Sequence, residues 1–337
     1  MNDQFTTPKT MKSVIYRRIR STLLEQGSST KVELSDTLGI SFPTISKFLS
    51  KMEKEGELLL VGLDQSSGGR RAKRFAYNPE HMLGLAIFLE RTETNFTIFN
   101  CLGEVKEQSK TNSVDNIDRL TKLIDAILVK YPKISSIAIG VPGSVDNGRV
   151  FFIPDYEHFQ DVDLKKYYED YFSIPVVVEN DMNAAVLGYY KYKGSKENQS
   201  LIYLSSGQNG PGSGIMINGE VVRGSTFFSG EVSFVPLYDD RNFLQALGNK
   251  SKSFREDNKI DAVARLIASF TAIINPHTFI FCSDEVTASS IEEITLSSSK
   301  YIPRAHLPEI TMSDWKQDYL LGLQSLGLGL MISNTGM

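Results

Sequence analysis

The sequence predicts two folds in one chain: a small winged helix-turn-helix head over residues 1–78, followed by a larger α/β body. Three observations predict it. The head shows helical periodicity, the body shows short apolar runs ending in polar or glycine-rich clusters, and the charge changes sign between them. Residues 1–78 hold 13 Lys and Arg against 8 Asp and Glu, which leaves 23 against 32 in the rest of a chain of net charge −4. A basic head on an acidic body suits a module that meets phosphates joined to one that does not.

At 337 residues the chain is too long for one small domain. No apolar run approaches the roughly 20 residues that span a bilayer, and the stretch Met1–Thr10 lacks the apolar core of a secretory signal. Cys101 and Cys282 stand far apart without metal-ligand spacing, and His81, His158, His277 and His306 are scattered. A reducing cytoplasm, no disulfide framework, no metal site and no cofactor are the expectations.

In the head, Ile15, Ile19 and Leu23 mark the buried stripe of a first helix that ends near Gly27. Ser28, Ser29 and Thr30 offer an N-cap for a second helix, with Leu34 and Leu38 inward, and Gly39 and Ile40 make the turn. Ser41 is placed to cap a third helix, with Pro43 in its first turn. There Ile45, Phe48, Leu49 and Met52 form one apolar face, and Ser41, Thr44, Ser46, Lys47, Ser50 and Lys51 supply short hydroxyls and bases around it. A helix that enters a major groove needs such residues: little bulk, donors for base edges and cations for phosphates. The bland alternative is a three-helix cap with a solvated outer face. The run Leu58–Val61, a loop over 64–69, the basic stretch Arg70–Arg74 and Phe75–Tyr77 then read as two strands joined by a wing, with Arg70 and Arg71 placed for DNA.

In the body, Leu85–Leu89 and Phe96–Phe99 read as strands, with Leu102–Glu104 as the next hairpin turn. A helix is expected over Ile117–Lys130, and further strands at Ile134–Val141, Val176–Val178 and Leu201–Leu204. Strands alternating with helices, with ligand-competent loops at the strand ends, indicate a doubly wound α/β organisation. Tyr167, Tyr168, Tyr171 and Phe172 read as packing of one helix or support for an interface.

These motifs resemble the repressor–ORF–kinase (ROK) family in its transcription-factor branch. The head matches in Glu33-Leu34-Ser35, Leu38–Ser41 and Thr44–Ser46, and the wing in Ser66–Arg70, though the family's usual Pro is here Arg71. The body matches in Ile139–Gly143, Glu179–Ala185, Gly210–Gly214, Gly230-Glu231 and Asn275-Pro276. The resemblance implies a two-lobed, actin-like (ribonuclease H-like) sugar-kinase fold, lobe I over 79–187 plus about 318–337 and lobe II over 188–317. It also implies a sugar pocket of Gly143, Asp155, Asn180, Asp181 and Glu231. Paired carboxylates and amides bind the vicinal hydroxyls of a sugar and reject ligands that lack them.

Departures from the family decide the expected function. Where kinases of the family carry an Asp-x-Gly-Gly-Thr phosphate turn, this chain has Phe88–Glu93, with two glutamates and no glycine. Where they carry a Gly-Gly-Gly segment, it has Cys282–Glu285. ATP binding is therefore expected to be absent, and no residue is assigned a catalytic role. Glu90 and Glu93 by themselves read as solvated edge residues. The family's zinc ligands are missing as well: Phe234 stands where its His would be, and Val235–Lys250 contains no cysteine. Asn180-Asp181 has a plain reading as a helix N-cap, and Ile153–Tyr156 as a turn. Asp155, in place of the usual Asn, argues against a sugar phosphate as effector.

The expectation is a sugar-responsive repressor of carbohydrate genes, dimeric or a dimer of dimers, that binds operator DNA and a free sugar. The alternatives are a sugar kinase with an atypical nucleotide site, and a constitutive DNA-binding protein with a vestigial pocket.

Overall fold

The computed structural model describes residues 8–63, 71–153, 156–193, 198–207, 210–248 and 257–333. Its first element is α1 (Pro8–Gln26), followed by β1 (Ser29–Thr30), α2 (Lys31–Leu38), α3 (Phe42–Lys54), β2 (Leu58–Leu63) and β3 (Lys73–Tyr77). The three strands pair in the order β1-β3-β2, giving three helices and a hairpin in the order of a winged helix-turn-helix. Thr30 caps α2 through a reciprocal capping box with Glu33, and Gly39 ends it in the left-handed region at φ 63°. Ser41 does not cap α3 as the sequence suggested, because its hydroxyl bonds the Thr44 hydroxyl at 2.9 Å and reaches no backbone N–H. Tyr16, Ile19, Leu23, Leu34, Leu38, Ile45, Leu49 and Met52 form the head's core, while Ile15 is only half-buried.

The body begins with β4 (Leu83–Leu89), β5 (Glu93–Asn100), β6 (Val105–Asn112), α4 (Ile117–Lys130) and β7 (Ile134–Val141). A small sheet of β8 (Ser144–Asp146), β9 (Arg149–Phe152) and β10 (Val162–Asp163) precedes α5 (Leu164–Phe172), β11 (Val176–Asn180) and α6 (Asp181–Tyr192). Then come β12 (Leu201–Ser205), β13 (Gly212–Ile217), β14 (Glu220–Val221), α7 (Phe243–Leu247), α8 (Asp257–Ile273), β15 (Thr278–Cys282), α9 (Ala288–Ser298), β16 (Glu309–Ser313) and α10 (Trp315–Ser333).

Two separate five-stranded sheets result, β11-β7-β4-β5-β6 and β14-β13-β12-β15-β16. Counted from each sheet's own first strand, both have the order 3-2-1-4-5, with an antiparallel meander followed by two parallel crossovers. The parallel strands β4, β12 and β15 are buried along their whole length, which is why they read as unbroken apolar runs. The edge strand β6, Val105–Asn112, is almost wholly exposed and polar, a composition that discourages further pairing.

The last helix of each repeat, α6 and α10, crosses the other at backbone contact. A Cβ on Gly188 would lie 1.8 Å from the Asp318 carbonyl oxygen, and one on Gly322 would lie 1.8 Å from that of Ala184. The head rests on α10: the buried Arg20 guanidinium pairs with Glu57 at 2.5 Å and reaches the Ile332 carbonyl at 3.4 Å. No helix among the described residues is long and apolar enough to cross a membrane.

Candidate ligand cleft and DNA-facing helix

Every parallel strand of both sheets delivers its carboxyl end to one cleft. Leu89 ends β4, Pro142 follows β7, Asn180 ends β11, Ser205 ends β12, Cys282 ends β15 and Asp314 follows β16; all six line a cavity of about 770 Å³. Open α/β sheets place ligands at these ends because helix N-termini and free loop backbone converge there.

One half of the cleft holds the residues expected to contact sugar. Asn180 is the N-cap of α6, its Oδ1 accepting the Asn183 N–H at 3.0 Å, so the plain capping reading is correct as far as it goes. Its Nδ2 is directed into the cleft wall, donating to the Gly143 carbonyl and to Asp181 Oδ1, each at 3.0 Å. Asp181 also accepts the Met182 N–H at 2.8 Å. Enclosure by protein pushes the Asp181 carboxyl up to about 7, and the negative charge of Glu231 pushes the same way. Across the cleft, Glu231 accepts the Ser144 hydroxyl at 2.9 Å, which ties the two lobes together. Gly143 has to be glycine for packing: a Cβ there would lie 2.4 Å from the Phe152 carbonyl oxygen. The structure thus brings Gly143, Asn180, Asp181 and Glu231 together; Asp155 lies outside the described residues.

The other half corrects the reading of Glu90 and Glu93 as solvated edge residues. Glu90 is 8% exposed, and Lys316, from the start of α10, bridges Glu90 and Glu93 at 3.1 Å each. A lysine far along the chain neutralises the turn, a pairing that local sequence could not show. Burial raises the Glu90 carboxyl above its usual range against the pull of Lys316, whereas Lys110 and Lys316 hold Glu93 down at about 2. On the lobe II side the buried Glu285 carboxylate accepts the Ser206 N–H and the Ser205 and Ser206 hydroxyls at 2.7–3.0 Å. Its oxygens cover backbone that a phosphate would otherwise approach.

Sequence reasoning marked the segment that holds Glu285 but missed Ser144, Lys316 and Arg223. Arg223, in lobe II, pairs with the buried Glu179 of lobe I, whose other oxygen accepts the Asn180 N–H at 3.0 Å and the Asn183 amide at 3.1 Å. The Glu179–Asn183 motif therefore includes its own scaffold. No local signal marks Arg223 or Lys316, because each meets its partner only through the folding of distant strand ends. Among the described residues no group of three His, Cys, Asp or Glu could hold a metal ion.

In the head, the face of α3 opposite its buried residues carries Lys47 and Ser50, both exposed, with Thr44 and Ser46 half-buried at its margins. Ser46 accepts the Lys31 ammonium at 2.9 Å, and Lys51 lies 5.6 Å from the Tyr16 ring centroid and 3.4 Å from Glu55. Both are therefore engaged within the head, more so than the sequence implied. Arg71 is exposed, while Arg74 is held by Glu33 and the Ser28 carbonyl. Arg70 and the loop 64–69 lie outside the described residues.

Two lobes of repeated topology around a cleft define the class: an actin-like, sugar-kinase-type body, joined to a head whose elements follow the order of a winged helix-turn-helix. Residues 85–243 match the model of the ROK family. The xylose repressor of Bacillus spizizenii is 27% identical over 237 residues, covering 67% of this chain and 61% of that protein. The glucokinase of Streptomyces coelicolor is 32% identical over 143 residues, covering 42% and 44%. A ROK family transcriptional regulator, a homologue of the E. coli MLC protein, superposes with a TM-score of 0.74 at 17% identity, covering 96% of this chain and 97% of that one. The fold, head included, is therefore one seen before. The chain spans 61% of the length of the xylose repressor that it matches.

Proposed function

We propose that this chain is a sugar-responsive transcriptional regulator, a repressor of carbohydrate-utilisation genes, and not an enzyme. The observation that carries the reading is the divided cleft. Its sugar half keeps Asn180, Asp181, Ser144 and Glu231 facing one another, a set of donors and acceptors suited to vicinal hydroxyls. Its phosphate half is closed by Glu90, Lys316, Glu93 and Glu285. Seven carboxylates and three cationic side chains line the whole cavity, which favours a free sugar over a sugar phosphate or a nucleotide.

Two heads in a homodimer or dimer of dimers would read a pseudo-palindrome, with Lys47, Ser50, Thr44 and Ser41 toward the major groove. Ser46 and Lys51 flank that face, and Arg70 and Arg71 reach phosphates or the minor groove. Coupling between sites runs along α10: Trp315 and Lys316 line the cleft at its start, and the Ile332 carbonyl meets Arg20 of the head at its end. Such coupling requires that the sugar bind the open and closed cleft with different affinity. Glucose, xylose and N-acetylglucosamine form the first effector panel.

Fluorescence anisotropy on the promoter upstream of the chain's own gene tests the reading. Specific binding that one panel sugar weakens is expected. No specific binding at physiological salt with competitor DNA would sink it. The glucokinase relative favours a second reading, a kinase, which calorimetry with magnesium ATP decides: nucleotide binding supports it and the lack of any heat removes it.

A further inference from the structure

The cleft is larger than the set of groups that faces sugar hydroxyls, and besides the half closed by Glu90, Lys316 and Glu285 it carries aromatic side chains. Phe152, from β9 of lobe I, and Phe227 and Phe234, from lobe II, all line the cavity. Phe152 is 42% and Phe234 57% exposed, and Phe234 leans on Phe228, itself 44% exposed, with ring centroids 5.3 Å apart. Large apolar side chains left exposed along one cleft mark a surface that something apolar covers.

The backbone fixes these rings beside the sugar half. Phe234 closes the short helical turn Val232–Phe234, its N–H donating to the Glu231 carbonyl at 3.2 Å, so an acid and a phenyl ring leave one turn together. The Phe152 carbonyl is the atom against which Gly143 packs. Phe227 is held at φ 57°, in the left-handed region that an aromatic residue rarely adopts, and such strain is kept where surrounding structure imposes it.

We propose that the cleft takes a sugar whose anomeric oxygen carries a second ring, a glycoside rather than a bare monosaccharide. Asn180, Asp181 and Glu231 hold the hydroxyls of the first ring, while Phe152, Phe227 and Phe234 flank the second. Aromatic faces pack well against both an aryl ring and the C–H face of a pyranose, so an aryl aglycone and a second sugar share this chemistry. The inference rests on the sugar-cleft reading above.

Isothermal titration calorimetry on the full chain tests it, using each panel sugar as the free monosaccharide, the methyl glycoside, the para-nitrophenyl glycoside and the disaccharide, in both anomers. At least one of the two ring-bearing forms is expected to bind about tenfold or more tighter than the methyl glycoside. In Phe234→Ala, at a position that is 57% exposed, that ratio falls toward one; Phe152→Ala lowers it as well. A gain for the aryl form alone assigns an aglycone, and a gain for the disaccharide assigns a second sugar. Monosaccharide binding with no gain from either ring, or a gain that survives both substitutions, overturns this inference while leaving the sugar reading intact. Binding of none of these compounds overturns both.

Discussion

The two halves of the cleft are built on equivalent positions and behave in opposite ways. Each sheet sends its fifth strand into a helix capped by the residue just before it: Asn180 accepts from the Asn183 N–H at 3.0 Å, and Asp314 accepts from the Gln317 N–H at 3.1 Å. The pairs Asn180 and Asp314, Ala184 and Asp318, and Gly188 and Gly322 keep one spacing along the chain, so the repeat extends to single residues of the crossing. After the caps the halves part. On α6 comes Asp181, a carboxyl with no cationic partner among the described residues, facing Glu231. On α10 come Trp315 and Lys316, and the lysine closes on Glu90 and Glu93. On the proposed reading, the fold sets where a ligand meets the protein, and the one or two residues after each cap set which ligand it accepts.

Three tests show how far that comparison goes, the largest effect coming from the crossing that the halves share. In Gly322→Val the added carbon meets the Ala184 carbonyl at 1.8 Å, and neither helix backbone can yield without moving a lobe. Loss of folded, soluble protein is expected. Gly329, on the same helix, has nothing within 4 Å of its missing Cβ, so Gly329→Ala is expected to stabilise by about 0.5–1 kcal/mol, read by chemical denaturation. Equal behaviour of the two variants would mean that the crossing is loose and that the symmetry has no structural weight.

The second test separates the halves by pH. Asp181 titrates at about 7 in the folded protein against an ordinary 3.8, so the folded state binds this proton more tightly than the unfolded chain does. As pH rises from about 4 to 7 the unfolded chain has already released the proton, and this group makes folding progressively less favourable; above about 7 the penalty stays constant. Asp181→Asn removes the titration. Its melting temperature is expected to gain on that of the native chain from about pH 5 to 7 and to run parallel above that, with a plateau of about 2–4 kcal/mol. A gap that does not change with pH would place Asp181 in ordinary solvent and remove the asymmetry of the two helix starts.

How much of this was legible in the sequence depends on the distance over which each feature is determined. An N-cap among Ser28, Ser29 and Thr30, the turn at Gly39 and the inward faces of α2 and α3 are set within a few residues, and the sequence showed them; the choice of Thr30 and its reciprocal bond with Glu33 came only from the structure. So were the apolar strands β4, β7, β11 and β12, and the Asn180-Asp181 pair at a strand end. The Ser41 cap failed because Thr44 competes for the same hydroxyl, a choice between two partners that spacing leaves open. Glu90 was misread because its partner arrives from the last helix, and a glutamate with no visible partner looks solvated. Ser144 with Glu231, and Arg223 with Glu179, are invisible in the same way: each joins one lobe to the other.

The smallest expected loss concerns that misread glutamate. Lys316→Met keeps the length and apolar stem of the side chain and removes its charge. Glu90 is buried, one of its oxygens has no hydrogen-bond partner, and the other has Lys316 at 3.1 Å. Losing the ammonium leaves a buried carboxylate that either stays charged without compensation or takes up a proton. Because the Lys316 side chain is 55% exposed, water screens part of the pairing, and the loss should be only about 1–2 kcal/mol in chemical denaturation at pH 7. It should shrink at about pH 5, where Glu90, already raised by burial, is more easily neutralised. Glu90→Gln in the same chain should recover most of it, since the two changes act on one pair. If instead Lys316→Met and Glu90→Gln add as independent losses, the lysine does not hold the turn shut. The phosphate half would then be closed by shape alone, and the contrast with Asp181 would rest on geometry and not on charge.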